Sequence, residues 1–239
     1  MKHLIVTLFL FAIATQAVAT PVDVTVQGPA GQLAGTIETP QTPSRAAALI
    51  LPGSGPTDRN GNNPLGLFAA SYQMLAEDLA AEGITTLRFD KRGIGLSDRG
   101  PADEAATPEL WVRDVVAVTD AVGAQRPVLF GTHEGGPIAM LFAASLPERT
   151  QALVLVNTGP RLTATSDWPH GIAEHEWRPD IAGIATLWSE GTGGEQHIAA
   201  TAHDPWWHDW YARSRRQQAS PQVGLRLMRM LGELDVRHI

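Results

Sequence analysis

Apolar residues change rhythm along this chain, and each rhythm predicts a different kind of element. Val22, Val24 and Val26 alternate with polar positions, and Leu33 to Ile37 follows after the turn Gly28-Pro29-Ala30-Gly31. That pattern predicts an antiparallel hairpin. Pro40 to Ser44 reads as a loop. From Ala46 onward, continuous apolar runs alternate with helical spacing. Ala46 to Leu51, Ile84 to Phe89, Val128 to Phe130 and Ala152 to Val156 are predicted strands, the first two buried on both faces. Phe68, Tyr72, Leu75 and Leu79 recur at helical spacing, as do Trp111, Val115, Val118 and Val122, and Ile138 to Leu146 forms a third helix. Strand–helix–strand alternation predicts an α/β fold, a mostly parallel sheet with helices on both faces. Ligands of such sheets sit beyond the carboxyl ends of the strands.

Beyond Gly159 the strand-like runs stop. Helical patterns around Ile181 to Trp188, Trp206 to Arg215 and Pro221 to Leu234 predict a helical cap. At the other end, Lys2, the apolar run Leu4 to Ile13 and the small-x-small site Ala17-Val18-Ala19 form a signal peptide with cleavage expected after Ala19. The expected destination is secreted or periplasmic, with no membrane span, because the apolar run falls short of about 20 residues. The organisation is therefore a signal peptide over 1–19, a core over 20–160 and a helical cap region over 161–239.

Composition narrows the chemistry. A chain of 239 residues is long enough to bury a real core. Its net charge of −7 argues against nonspecific nucleic-acid or anionic-membrane binding. With no cysteine there are no disulfides, thiolate metal sites or thiol nucleophile. His203, Asp204, His208 and Asp209 invite a metal reading, but Pro205 interrupts the run and no ligand motif appears, so neither metal nor cofactor is expected. Trp206, Trp207 and Trp210 read as cap packing or an apolar lid over a cleft, with a surface patch for polymer or lipid as the weaker alternative.

Three strand ends carry loops rich in glycine and polar groups. Leu51 to Asn63 contains Gly53-Ser54-Gly55, whose backbone N–H groups can approach a ligand and stabilise an oxyanion. Ser54 is a hydroxyl in that loop, though as a nucleophile its plainer reading is a turn serine, and Ser97 reads the same way. Asp90 to Ser97 lacks the third spaced glycine of a dinucleotide site, so Asp90 and Arg92 are expected to tie neighbouring loops together. Gly131-Thr132-His133-Glu134-Gly135-Gly136 lies between a strand and a helix starting near Pro137. This is the setting of a nucleophile elbow, with His133 where serine is usual. Glu134 is expected to cap that helix or to steer the imidazole.

With those motifs in order, the chain resembles the α/β-hydrolase superfamily, and in particular its exported esterase- or peptidase-like serine hydrolases. Leu51 to Asn63 is similar to their oxyanion loop, Phe89 to Ser97 to their D-x-R-G-x-G-x-S loop, and Gly131 to Arg149 to an elbow that carries S-E-G-G. Ala152 to Gly159 is similar to the following strand, and Ala219 to His238 to the end of their cap. The resemblance implies hydrolysis of small acyl esters, with Gly53, Ser54, Gly55 and Glu134 as oxyanion or substrate-binding groups and His133 as the catalytic group. It also implies two further strands bearing the catalytic acid and histidine beyond this segment, so those C-terminal strands are expected to be missing here. Asp235 and His238 are placed by the resemblance at the cap exit rather than in a triad.

The expected function is weak or non-standard ester hydrolysis at His133, because imidazole is itself a nucleophile near pH 7. The alternatives are a non-catalytic binding member of the fold and a truncated relic. Without further strands, Ala152 to Val156 would form a bare apolar edge, a site for a homo-oligomer contact unless the cap covers it.

Overall fold

The computed structural model describes residues 20–53, 55–63, 67–100, 107–173, 175–177, 181–190, 203–218 and 220–239. The predicted signal peptide and Ser54 lie outside the described residues.

Strand β1 (Thr20–Gly28) pairs with β2 (Gly31–Thr39) in an antiparallel hairpin closed at Gly28 and Gly31. The buried strand β3 (Ala46–Leu51) follows. Two short strands, β4 (Asn62–Asn63) and β5 (Leu67–Phe68), pair before helix α1 (Ser71–Ala81). Next come β6 (Ile84–Phe89), α2 (Pro108–Ala121), β7 (Val128–Thr132), α3 (Gly135–Ser145) and β8 (Ala152–Val156). Phe68 corrects one expectation: it is in β5, largely exposed, rather than on the face of α1. Its spacing matched a helix, but the short strand pair takes the backbone first. Helix α3 begins at Gly135, ahead of the expected start. Pro137 is tolerated in that first turn, where its missing N–H has no intrahelical partner to lose.

The main sheet runs β1-β2-β6-β3-β7-β8. Strands β6, β3, β7 and β8 are parallel neighbours, and β2 joins β6 antiparallel. Leu33, Leu49 and Leu129 from the strands pack with Val115 and Val118 of α2 and Phe142 of α3 in the core, each essentially sealed from solvent. Each such side chain contributes about 1.5–3 kcal/mol through burial. The start of α2 shows how the sequence sets a boundary. Thr107 accepts from the Leu110 N–H at 3.1 Å, Pro108 opens the helix, and Glu109 lies in its first turn.

Beyond β8 the described residues contain α4 (Ile181–Glu190), α5 (Pro205–Gln218) and α6 (Pro221–Glu233), with α4 packed against the other two. Two contacts fasten this region to the sheet domain. Asn63 donates to Ser214 of α5 at 3.2 Å, and the Val236 N–H donates to the Pro160 carbonyl at 3.0 Å. Among the described residues no helix is long and apolar enough to cross a membrane.

Candidate active site

The sheet order dictates where a site can form. From β3 the chain crosses to β6 on one side and later to β7 on the other, which opens a crevice between the loops after β3 and β7. Register then aligns the strand ends. Leu51 pairs with Gly131, Ile50 with Arg88, and Thr132 with Val156. Extended past the strand ends, that register sets Lys91, Gly53, His133 and Asn157 in a row beyond β6, β3, β7 and β8.

His133 has φ +45°, in the left-handed region. A non-glycine residue there is strained, and it marks the sharp strand-to-helix turn of a nucleophile elbow. The flanking glycines are required by close approach. A Cβ on Gly131 would stand 2.8 Å from the Gly135 carbonyl oxygen, and one on Gly135 would stand 2.6 Å from that of Leu51. The turn is pinned from outside as well. The His133 N–H donates to the Val156 carbonyl at 3.3 Å, and the Thr158 hydroxyl donates to the His133 carbonyl at 2.7 Å.

Two groups border the exposed imidazole at adjacent ring atoms. A Cβ at Gly53 would lie 3.0 Å from His133 Cδ2, so only glycine lets the first loop come this close. At the next ring atom, Asn157 Nδ2 stands 3.3 Å from His133 Nε2.

Gly53 and Gly55, expected as oxyanion donors, form part of a tightly bonded loop. The Gly53 N–H donates to the Tyr72 hydroxyl at 3.0 Å, and Tyr72 meets Thr132 Oγ1 at 2.9 Å. The carbonyls of Gly53 and Gly55 both accept from the Lys91 ammonium. Lys91 also faces Glu134 at 4.0 Å. Burial lowers the proton affinity of Lys91; Glu134 opposes this and the Arg215 charge adds to it. Glu134 occupies the N-cap position of α3, and its side chain makes no capping hydrogen bond there. The Lys91 charge draws the carboxylate instead.

Asp90 and Arg92 tie loops together, as expected. Asp90 is buried and accepts from the Arg59 N–H and Nη1 at 2.7 Å each and from the Leu96 N–H at 2.9 Å. Arg92 pairs with Asp114, whose carboxyl is pushed up by burial against the pull of Arg92. Ser97 bridges the Ala34 N–H and the Asp90 carbonyl. Asp235 is engaged by Arg237 at 2.7 Å and Arg161 at 3.0 Å, while His238 is exposed. Asp204 accepts from the Trp206 N–H and Asp209 pairs with Arg213. Trp206, Trp207, Trp210 and Tyr211 stack with centroids 5.3–6.3 Å apart.

A cavity of about 40 Å³ lies beside the row, lined by Leu51, Pro52, Phe89, Lys91 and Trp111 among others. A larger one, about 320 Å³, sits at the opposite end of the sheet, against Ala46, Thr85 and Thr119. Ligands of such sheets bind beyond the carboxyl ends of the strands, where the row and the smaller cavity lie.

A family model described as Serine aminopeptidase, S33 matches residues 65–228. The chain belongs to this family of α/β-hydrolases. Across 111 residues it is 33% identical to the pimeloyl-(acyl-carrier protein) methyl ester esterase of Chromobacterium violaceum, a match covering 45% of this chain and 39% of that protein. Across 114 residues it is 34% identical to epoxide hydrolase B of Mycobacterium tuberculosis, covering 46% of this chain and 32% of that protein. The chain thus spans well under half the length of these curated relatives. An esterase from Exiguobacterium antarcticum shares the fold with a TM-score of 0.65 at 18% identity, over 90% of this chain and 75% of that one.

Sequence reasoning singled out His133, Gly53 and Glu134 as site residues, and register brings all three together. It passed over Lys91, Tyr72, Asn157 and Thr158. Asn157 was detectable in principle, since it is the first residue after a parallel strand, the position from which such sheets present ligand groups.

Proposed function

We propose that this S33-family chain is an exported hydrolase of carboxylic-ester lineage that takes small acyl esters above β3 and β7, with slow acyl transfer at His133. The observation that carries this reading is the left-handed elbow geometry of His133 beside the Gly53 loop. In this scheme an imidazole lone pair attacks the ester carbonyl, and water later hydrolyses the acyl-imidazole. The Glu134 N–H and those of residues 54 and 55 serve as oxyanion donors, since Tyr72 holds the Gly53 N–H. Residues 161–239 act as the cap, and the segment ending at Ala19 directs secretion to the periplasm or beyond. Two copies associate through the exposed edge of β8.

A second reading, a non-catalytic binding member of the fold, is favoured by one observation. Among the described residues the side chain bonded to the His133 ring is the amide of Asn157, not a carboxylate. Hydrolysis of p-nitrophenyl acetate by the wild type and His133→Ala separates the two. Loss of activity in the variant supports the enzyme reading. Equal rates remove His133 from the chemistry, and no hydrolysis by either protein favours binding.

A further inference from the structure

A neutral imidazole carries one N–H and one lone pair, and whichever hydrogen bond one nitrogen makes decides the role of the other. At His133 that bond is made by Asn157, whose Nδ2 stands 3.3 Å from Nε2. An amide nitrogen donates and cannot accept. With Nδ2 donating, Nε2 is the acceptor and the ring proton sits on Nδ1. In that arrangement the Nε2 lone pair is engaged by Asn157 and Nδ1 carries no lone pair.

The surroundings hold Asn157 in place. Its φ is +52°, a region that asparagine adopts more readily than other non-glycine residues. Its two chain neighbours are both bonded to the elbow. Val156 accepts from the His133 N–H, and Thr158 donates to the His133 carbonyl. Gly53 closes off the Cδ2 side of the ring, next to Nε2, so Nδ1 lies on the opposite edge.

We propose that Asn157 is a positioning residue that selects the ring tautomer of His133 and thereby restrains its nucleophilic lone pair. This rests on the reading of His133 as the reactive group. Turning the amide would place Oδ1 at Nε2, transfer the ring proton to Nε2 by way of water, and free Nδ1. In that state the Nδ1 lone pair forms a bond to the ester carbonyl carbon, the carbon–oxygen bond to the alcohol breaks, and the alkoxide takes a proton from water. Water then cleaves the acyl-imidazole to the carboxylate, which restores the neutral ring. A carboxylate at position 157 accepts but cannot donate, so Asn157→Asp should hold the proton on Nε2 permanently.

Two-bond proton–nitrogen spectra of the histidine rings, recorded well above the ordinary imidazole range, test this directly. The His133 signals are assigned by their disappearance in His133→Ala. The wild type should show the His133 proton on Nδ1, and Asn157→Asp should show it on Nε2. A wild-type proton on Nε2, or a tautomer unchanged by the substitution, overturns the proposal. The wild-type spectrum alone decides even if the variant folds poorly. With p-nitrophenyl acetate, Asn157→Asp should hydrolyse about three- to tenfold faster, the scale of one released hydrogen bond. A variant that switches tautomer without a faster rate refutes the restraint. If neither protein hydrolyses the ester, the esterase reading fails while the spectra still decide the role of Asn157.

Discussion

The ammonium of Lys91 donates to the carbonyl of Gly55 at 2.9 Å and so ties the loop after β3 to the end of β6. The same ammonium reaches the Gly53 carbonyl, so one side chain closes the loop that borders His133. Lys91→Met keeps the aliphatic stem and removes both donors. We expect the Gly53 amide, whose N–H donates to the Tyr72 hydroxyl, to exchange roughly tenfold or more faster with deuterium as the loop loosens, since losing a hydrogen bond to a charged group costs about 1.5–3 kcal/mol. Lys91→Arg should recover part of the protection.

Glu38 and Arg88 form an ion pair at 2.9 Å, with side chains 1% and 4% exposed. Removing one partner leaves a buried charge uncompensated. Glu38→Leu alone should destabilise the fold by about 3–5 kcal/mol in urea denaturation, while Glu38→Leu with Arg88→Met should cost far less. Equal losses in both proteins would contradict this.

Gly135→Ala places a methyl against the Leu51 backbone, which cannot move without breaking the pairing of β3 and β7. A cost of about 2 kcal/mol or more is expected, together with loss of the elbow geometry. A melting temperature within a degree of the wild type would argue against this packing.

Hydrogen bonds from Arg237 and Arg161 hold the Asp235 carboxyl well below the usual carboxylate range. A carboxyl depressed on folding contributes stability above its unfolded value, near 3.9, and loses it as the pH falls toward the folded value. The tie between the C-terminal residues and Arg161 should therefore weaken below about pH 4. Asp235→Asn should lower the melting temperature at pH 7 by about 2–4 °C and flatten the acid limb of the stability profile.

Leu153, Val154, Leu155 and Val156 are 36–43% exposed, and among the described residues no strand pairs with β8 on its outer side. An uncharged apolar edge is a template for pairing with a second copy. Val154→Lys should shift sedimentation of the purified protein toward the monomer. A wild type that is already monomeric at high concentration would remove this contact.

Much of the scaffold was legible because its cause is local. Ala46 to Leu51 and Ile84 to Phe89 coincide with β3 and β6, since a strand buried on both faces has no polar alternation to blur its ends, and the unbroken apolar run Ala152 to Val156 coincides with β8 although that strand is exposed. Phe68 misled because helical spacing cannot register a two-residue strand pair. Glu134 also faces Lys91, a neighbour 43 residues earlier in sequence that its place next to a helix start does not announce.

The sequence by itself determined the α/β class, the glycine-bracketed turn at His133 and the presence of a polar loop after β3, all of which arise from contacts between near neighbours in the chain. Only the tertiary structure decided the row Lys91, Gly53, His133 and Asn157, because strand order and register bring together residues that lie far apart in sequence. It likewise decided that an amide from the neighbouring strand end, rather than a carboxylate, meets the imidazole. Hydrogen-bond partners are a property of the folded neighbourhood, and which ring nitrogen carries the proton follows from them.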